Sequence, residues 1–178
     1  MSPMDIRPAE PSDLERLRDI ERAAGEVFRD WGMGEVADDP PPTVAELLLH
    51  QRAGELWVHA PRGGPVLAYA LALPIDAGLH VEQLSVHPDG ARRGLGRALL
   101  EHLGTLAHRQ GRAALTLTTF SHVPWNAPYY RRCGFHTLPD RELTVDLAAI
   151  RDRERRAGLD RWPRECMARP LGEDPPRP

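Results

Sequence analysis

The stretch from Leu79 to Ala107 constrains the fold more than any other part of this chain. Leu79 to His87 reads as a strand. A turn carrying Gly94 and Gly96 follows, and then Leu95, Ala98, Leu99, Leu103, Leu106 and Ala107 recur on one face of a helix. A strand that feeds a helix through a glycine turn aims several backbone amides at one point, with the positive end of the helix dipole behind them. Glycine there lets an anion approach the backbone, and Arg92, Arg93 and Arg97 add charge. The third glycine of a dinucleotide fingerprint is missing, so taken alone the turn fits a plain helix start as well as an anion cradle.

The rest of the pattern defines the class. A short strand near Ile6 leads to Ser12-Asp13-Leu14-Glu15, which reads as a capping box through Ser12 and Glu15. Leu14, Leu17, Ile20, Ala24, Val27, Phe28 and Trp31 then follow near helical spacing. After Pro40-Pro41-Pro42, Val44 to Arg52 reads as a second helix. Leu56 to Ala60 and Val66 to Leu73 read as a hairpin turned by Arg62-Gly63-Gly64-Pro65. Ala114 to Thr119 reads as a buried strand, Asn126 to Arg132 as a short helix and Phe135 to Leu138 as a strand. Leu143, Leu147 and Ile150 mark a later helix, and Arg164 to Arg169 is expected to close the sheet. Early helices, a strand meander and strand-helix-strand crossovers make an α+β (mixed α/β) fold and disfavour a repeated doubly wound sheet.

Composition removes several chemistries. The 178 residues include 23 basic side chains, all arginine. Without lysine there is no P-loop phosphate lysine, no Schiff base and no lysine general base. A net charge of -3 argues against a dedicated nucleic-acid binder. Arg151, Arg153, Arg155 and Arg156 alternate with Asp152 and Glu154, as expected of a solvated helix face. Met1 to Glu10 lacks an apolar signal core, and Val66 to Ile75 is too short to cross a bilayer. The expectation is a cytoplasmic protein with no membrane partner, with Cys133 and Cys166 as reduced thiols. No histidine pair has metal-ligand spacing, so no metal is expected.

Leu84-Ser85-Val86-His87-Pro88 followed by Arg93-Gly94-Leu95-Gly96-Arg97-Ala98-Leu99-Leu100 resembles the acetyl-CoA motif of the GNAT acetyltransferase superfamily. Asn126 and the run Tyr130-Arg131-Arg132-Cys133-Gly134-Phe135 are similar to its second signature, in the same order. The resemblance spans roughly Ile6 to Arg169. It implies a central, mostly antiparallel twisted sheet flanked by helices and splayed at the acetyl-CoA site. Residues 1–170 would form the acetyltransferase domain and 171–178 a disordered tail. The superfamily's frequent dimers make a homodimer the assembly it admits. One departure stands out: the family usually carries Arg or Gln where this chain has Ala91.

The resemblance also implies roles. Acetyl-CoA would be the cosubstrate, held by Leu84, Ser85, Val86, Arg92, Arg93, Gly94, Leu95, Gly96, Arg97 and Asn126. His80 and Glu82 lie two apart on one strand and so face the same side. They match positions where many members deprotonate the amine through water. An unperturbed histidine near pKa ~6.5 is largely neutral at pH ~7, whereas a glutamate near ~4.3 needs burial to become as basic. Tyr130 matches the tyrosine that protonates the departing thiolate, and Tyr129 is expected to pack. Asn126 also suits a helix N-cap.

Phe28, Trp31 and Met33 are the candidate acceptor wall, with Glu35, Asp38 and Asp39 as acids that could attract an amine; core packing explains the apolar residues as well. The implied activity is acetyl transfer to a primary amine, of a small molecule or of a protein N-terminus or lysine. A non-catalytic acyl-CoA-binding module is the alternative of another class.

Overall fold

The computed structural model describes residues 5–172. Seven strands form one sheet in the order β1-β2-β3-β4-β5-β7-β6, where β1 is Ile6–Pro8, β2 Leu56–His59, β3 Ala68–Ile75, β4 Gly78–Val86, β5 Ala114–Phe120, β6 His136–Leu138 and β7 Arg164–Pro170. β1, β2 and β3 pair antiparallel, as do β5 with β7 and β7 with β6, while β4 and β5 run parallel. The helices are α1 (Leu14–Gly25), α2 (Gly34–Asp38), α3 (Val44–Arg52), α4 (Leu95–Arg109), α5 (Ala127–Arg132) and α6 (Val145–Arg156). The fold is α+β, as expected. The chain divides into two compact units, Met1–Ala72 with Gln83–His102 and Leu73–Glu82 with Leu103–Pro178. β3 and β4 therefore each run through both.

In the first unit Leu14, Leu17 and Ile20 bury one face of α1, and Leu56, Val58 and Tyr69 are buried in the strands. The expected capping box is displaced by two residues: Glu10 and Asp13 cap each other around a 3-10 turn at Pro11–Asp13, before Leu14 starts the helix. Asp13 is also held by Arg7 at 2.7 Å, so it cannot serve as one more exposed first-turn acid. The helix ends early as well. Glu26–Trp31 tightens into a 3-10 turn closed by Gly32 at φ 70°, which leaves Val27 and Trp31 exposed rather than on a continued apolar stripe. The short helix α2 had no signal in the apolar periodicity.

In the second unit β7 lies between β5 and β6, so Arg164 to Arg169 forms an interior strand and not the closing edge. Its centre, Cys166 to Ala168, is buried, whereas His136 and Thr137 of β6 are exposed, which suits a short edge strand. Cys133 and Cys166 are buried free thiols. Residues 173–178 of the expected tail lie outside the described residues; Leu171 still donates its amide to the Ala113 carbonyl at 2.9 Å.

The solvated-face reading of α6 is wrong for two of the six charges it covers, Arg151 and Glu154. Leu147 and Ile150 pack with Cys166, Ile75, Leu138 and Leu143, which turns Glu154 and Arg151 inward. Glu154 accepts from Thr118, Arg151 and Arg164, the last at 2.8 Å, and Arg151 also reaches Asp160 at 2.9 Å. Arg164 lies over the Phe120 ring at 4.4 Å. The arginines hold the Glu154 carboxyl below its ordinary pKa despite the burial that opposes this. Glu154→Ala leaves the largely buried Arg164 guanidinium without a carboxylate and takes one of two from Arg151, and is expected to destabilise the fold by about 3–5 kcal/mol, read as a lower denaturant midpoint at unchanged slope.

Candidate active site

In the first unit, β4 ends where His87 donates its amide to the Leu67 carbonyl at 2.8 Å. Pro88–Gly90 makes a 3-10 turn, and the His87 ring accepts from the Asp89 amide at 3.2 Å. Gly90 of that turn is also tightly enclosed. A Cβ there would stand 2.7 Å from Leu95 Cδ1 and 3.3 Å from Leu67 Cβ, so a bare backbone is what lets the turn lie against the start of α4. Its signal was the Asp89-Gly90 pair, an ordinary turn dipeptide.

Ala91, Arg92, Arg93 and Gly94 are exposed, with Arg92 at φ 57° and Gly94 at φ 77°. Gly94 takes that left-handed conformation freely, whereas Arg92 is strained there. The Ala98 amide bonds the Gly94 carbonyl at 2.9 Å as α4 begins. The amides of Leu95, Gly96 and Arg97 precede that ladder and have no intrahelical acceptor. Arg92, Arg93 and Arg97 are exposed and, among the described residues, carry no ion pair. Backbone donors, a helix dipole and three uncommitted guanidinium groups thus meet at one exposed turn.

Leu84 and Val86 are half-buried, and Ser85 is buried. Ser85 accepts from Gln83 Nε2 at 2.8 Å and is hydrogen-bonded to Tyr69, whose hydroxyl donates to Glu21. Burial raises the Tyr69 phenol well above its ordinary pKa and raises Glu21 too. The Tyr69–Glu21 pair had no local sequence signal, because it joins residues 48 apart. Of the proposed acceptor wall, Met33 is a core residue at 3% exposure, while Phe28 is half-buried and Trp31 exposed. Asp38 is committed to Arg29 at 2.8 Å.

In the second unit, the parallel register of β4 with β5 sets Leu79 opposite Leu115 and His80 opposite Thr116, although β5 continues to Phe120. His80 is 1% exposed, and its Nδ1 lies 2.9 Å from Thr116 Oγ1. Its Nε2 stands 3.7 Å from an oxygen of Glu82, which is 41% exposed. The two side chains therefore share a side, as their spacing implied. Burial pulls the His80 pKa down to about 4; Glu154 opposes that shift and Arg153 adds to it. The ring is neutral at physiological pH.

Asn126 precedes α5 but makes no N-cap side-chain bond. Its Nδ2 donates to Thr119 Oγ1 at 2.8 Å, and its Oδ1 is buried with no hydrogen-bond partner among the described residues. Tyr130 is half-buried, in edge contact with Tyr129 and Phe135 at ring separations of 5.4 and 5.8 Å, and burial raises its phenol pKa. Gly134, at φ 88°, lets the chain turn from α5 toward β6, and Arg169 bonds the Cys133 carbonyl at 3.1 Å while lying over the Phe135 ring. Among the described residues no three His, Cys, Asp or Glu side chains converge as metal ligands, and no helix is long and apolar enough to cross a membrane.

These features can be set beside known proteins. N-acetylglutamate synthase from Neisseria gonorrhoeae, solved with coenzyme A and N-acetyl-glutamate, is similar at 18% identity and TM-score 0.69; 94% of this chain is covered, and it spans 35% of that chain. The ribosomal-protein-S18-alanine N-acetyltransferase from Escherichia coli matches at 23% identity and TM-score 0.63, over 97% of each chain. The PaiA N-acetyltransferase from Thermoplasma acidophilum, solved with coenzyme A, matches at 14% identity and TM-score 0.64, over 93% of this chain and 97% of that one. These likenesses establish a shared fold. The model of the acetyltransferase (GNAT) family matches residues 14–135, which include the glycine turn, His80, Glu82 and Tyr130. The chain belongs to the GNAT acetyltransferase family, whose cosubstrate is acetyl-CoA.

Proposed function

We propose that the chain is an acetyl-CoA-dependent N-acetyltransferase acting on the primary amine of a small molecule. The observation that carries the reading is Glu82: an exposed carboxylate beside a buried neutral imidazole, on the strand that leads into the glycine turn. The residues also fit the cosubstrate. The free amides of Leu95, Gly96 and Arg97, with Arg92 and Arg93, would hold its pyrophosphate, and Leu84, Ser85 and Val86 would line its thioester arm. The orphaned Oδ1 of Asn126 would accept from one of its amides. Ala91 supplies no side-chain contact, so the backbone carries more of that work.

When bound, acetyl-CoA supplies a thioester whose acyl carbon can pass from sulfur to nitrogen. A new C–N bond forms as the C–S bond breaks, the amine gives up a proton and the sulfur gains one. Glu82 takes the amine proton, directly or through a water, because it is exposed. His80, desolvated and reluctant to bind a proton, positions Glu82 rather than replacing it. Tyr130 delivers its hydroxyl proton to the departing sulfur and recovers one from solvent. Its raised pKa keeps the phenol protonated until sulfur charge develops. Phe28 and Trp31 are the residues we propose for the acceptor wall, whereas Met33 is buried in the core.

Tyr130→Phe is expected to lower turnover at least about tenfold with little change in acetyl-CoA affinity, measured by thiol release and by calorimetry. Gly90→Ala forces the turn away from Leu95 and Leu67, and acetyl-CoA titration should show weaker binding, with about 1–3 kcal/mol lost in stability.

His80 gives a pH test. Its folded pKa, about 4, lies below the ordinary 6.5, so the unfolded chain binds a proton that the folded chain refuses. Its contribution is complete above pH ~6.5 and falls away as the pH drops toward ~4, by up to about 3 kcal/mol. Denaturant midpoints from about pH 7 to about pH 5 should fall more steeply for the wild type than for His80→Gln.

A further inference from the structure

The connection from β6 to β7 contains α6, which carries an unusual distribution of charge. Arg151 is held by Glu154 and Asp160, Arg155 by Asp152 and Asp160, and Glu154 by Arg164 and Thr118. Arg153 sits among them, exposed, and its guanidinium has no hydrogen bond or ion pair among the described residues.

Its position follows from its neighbours in the second unit. Glu154, the next residue, takes the Thr118 hydroxyl. Thr118 and Thr116 lie two apart on β5, on one face and about 6–7 Å from each other. Thr116 contacts the His80 ring, which stands 3.7 Å from Glu82. Glu154 therefore sits on the β5 face whose Thr116 meets His80, and Arg153 is the adjoining residue of α6. Arg153 is close enough for its charge to disfavour a proton on His80. Glu154 acts the other way on that ring, but two arginines already neutralise it.

Resting on the N-acetyltransferase reading, we infer that the acceptor is a small amino acid, an amine carrying a carboxylate, and that Arg153 binds the carboxylate while Glu82 serves the amine. A planar guanidinium offers two parallel N–H donors that match the two oxygens of one carboxylate. A cation on the helix that packs against this strand face attracts such an acceptor and repels a diamine. Arg153 thereby sets specificity and takes no proton.

The test compares initial rates of thiol release from acetyl-CoA with free L-amino acids, the matching amino acid carboxamides and aliphatic diamines. The wild type should favour the free acid of its best pair by about tenfold or more in kcat/KM, with diamines poorest. Arg153→Gln should bring that ratio toward one by raising KM for the acid. Arg153→Lys should keep part of the preference, and Arg156→Gln, one turn further along α6, should leave the ratio in place. Circular dichroism checks that each variant folds. Equal rates for acid and carboxamide in the wild type, or a preference that survives in folded Arg153→Gln, overturn the assignment alone. Failure of every amine while calorimetry still records acetyl-CoA binding overturns the transferase reading and the assignment with it.

Discussion

The parallel pairing of β4 with β5 is the constraint from which the second unit takes its chemistry. Leu79 and His80 meet Leu115 and Thr116, and the side chains of His80 and Thr116 reinforce the last pair with a 2.9 Å contact. A parallel ladder is slanted and somewhat weaker per residue than an antiparallel one, so a side-chain bond at its end matters. It places His80 in the interior, and two residues further along the same face of β4 Glu82 reaches solvent. On the partner strand the same alternation continues from Thr116 to Thr118, which α6 uses as its anchor through Glu154. The depth of His80, the exposure of Glu82 and the seat of α6 are consequences of one register.

A chain whose basic residues are all arginine uses that side chain for two opposite tasks. Inside the second unit, Arg164 and Arg151 share one carboxylate, and Arg164 also stacks on Phe120, a combination that suits a weakly hydrated planar cation better than an ammonium. At the turn before α4, Arg92, Arg93 and Arg97 stay in water with no internal ion pair. The first group is stabilised by partners the fold supplies. The second has no such partner among the described residues, and in the function we propose it meets an anion from outside, beside helix amides that also lack intrahelical acceptors.

Much of this was legible in the residues. The β4 and α4 segments announced themselves through period and glycine, and helix α3 spans Val44 to Arg52 as read. What periodicity could not convey is who meets whom at long range. Alternating signs on α6 fit a solvated face equally well until Leu147 and Ile150 are seen to turn Glu154 inward toward β5 and β7. The interior place of β7 depends on a strand order that no local pattern encodes. The first capping box slipped because Ser12-x-x-Glu15 and Glu10-x-x-Asp13 overlap, and Arg7 decides between them by holding Asp13. At the candidate site the spacing put His80 and Glu82 on one side but could not say which would be buried.

Burial is what separates the two. An imidazole in water would be the better base near neutral pH, being mostly unprotonated and still basic. Enclosed beside Thr116, the same ring has a pKa of about 4 and little appetite for a proton, however well it is placed. A group that must accept a proton from an amine, hold it briefly and return it needs contact with solvent, and of the two only Glu82 has it. Desolvation therefore converts the residue that looks more basic in the sequence into a fixed neutral wall. The proton traffic we propose falls to its exposed neighbour, with the ring 3.7 Å away limiting where that carboxylate can point.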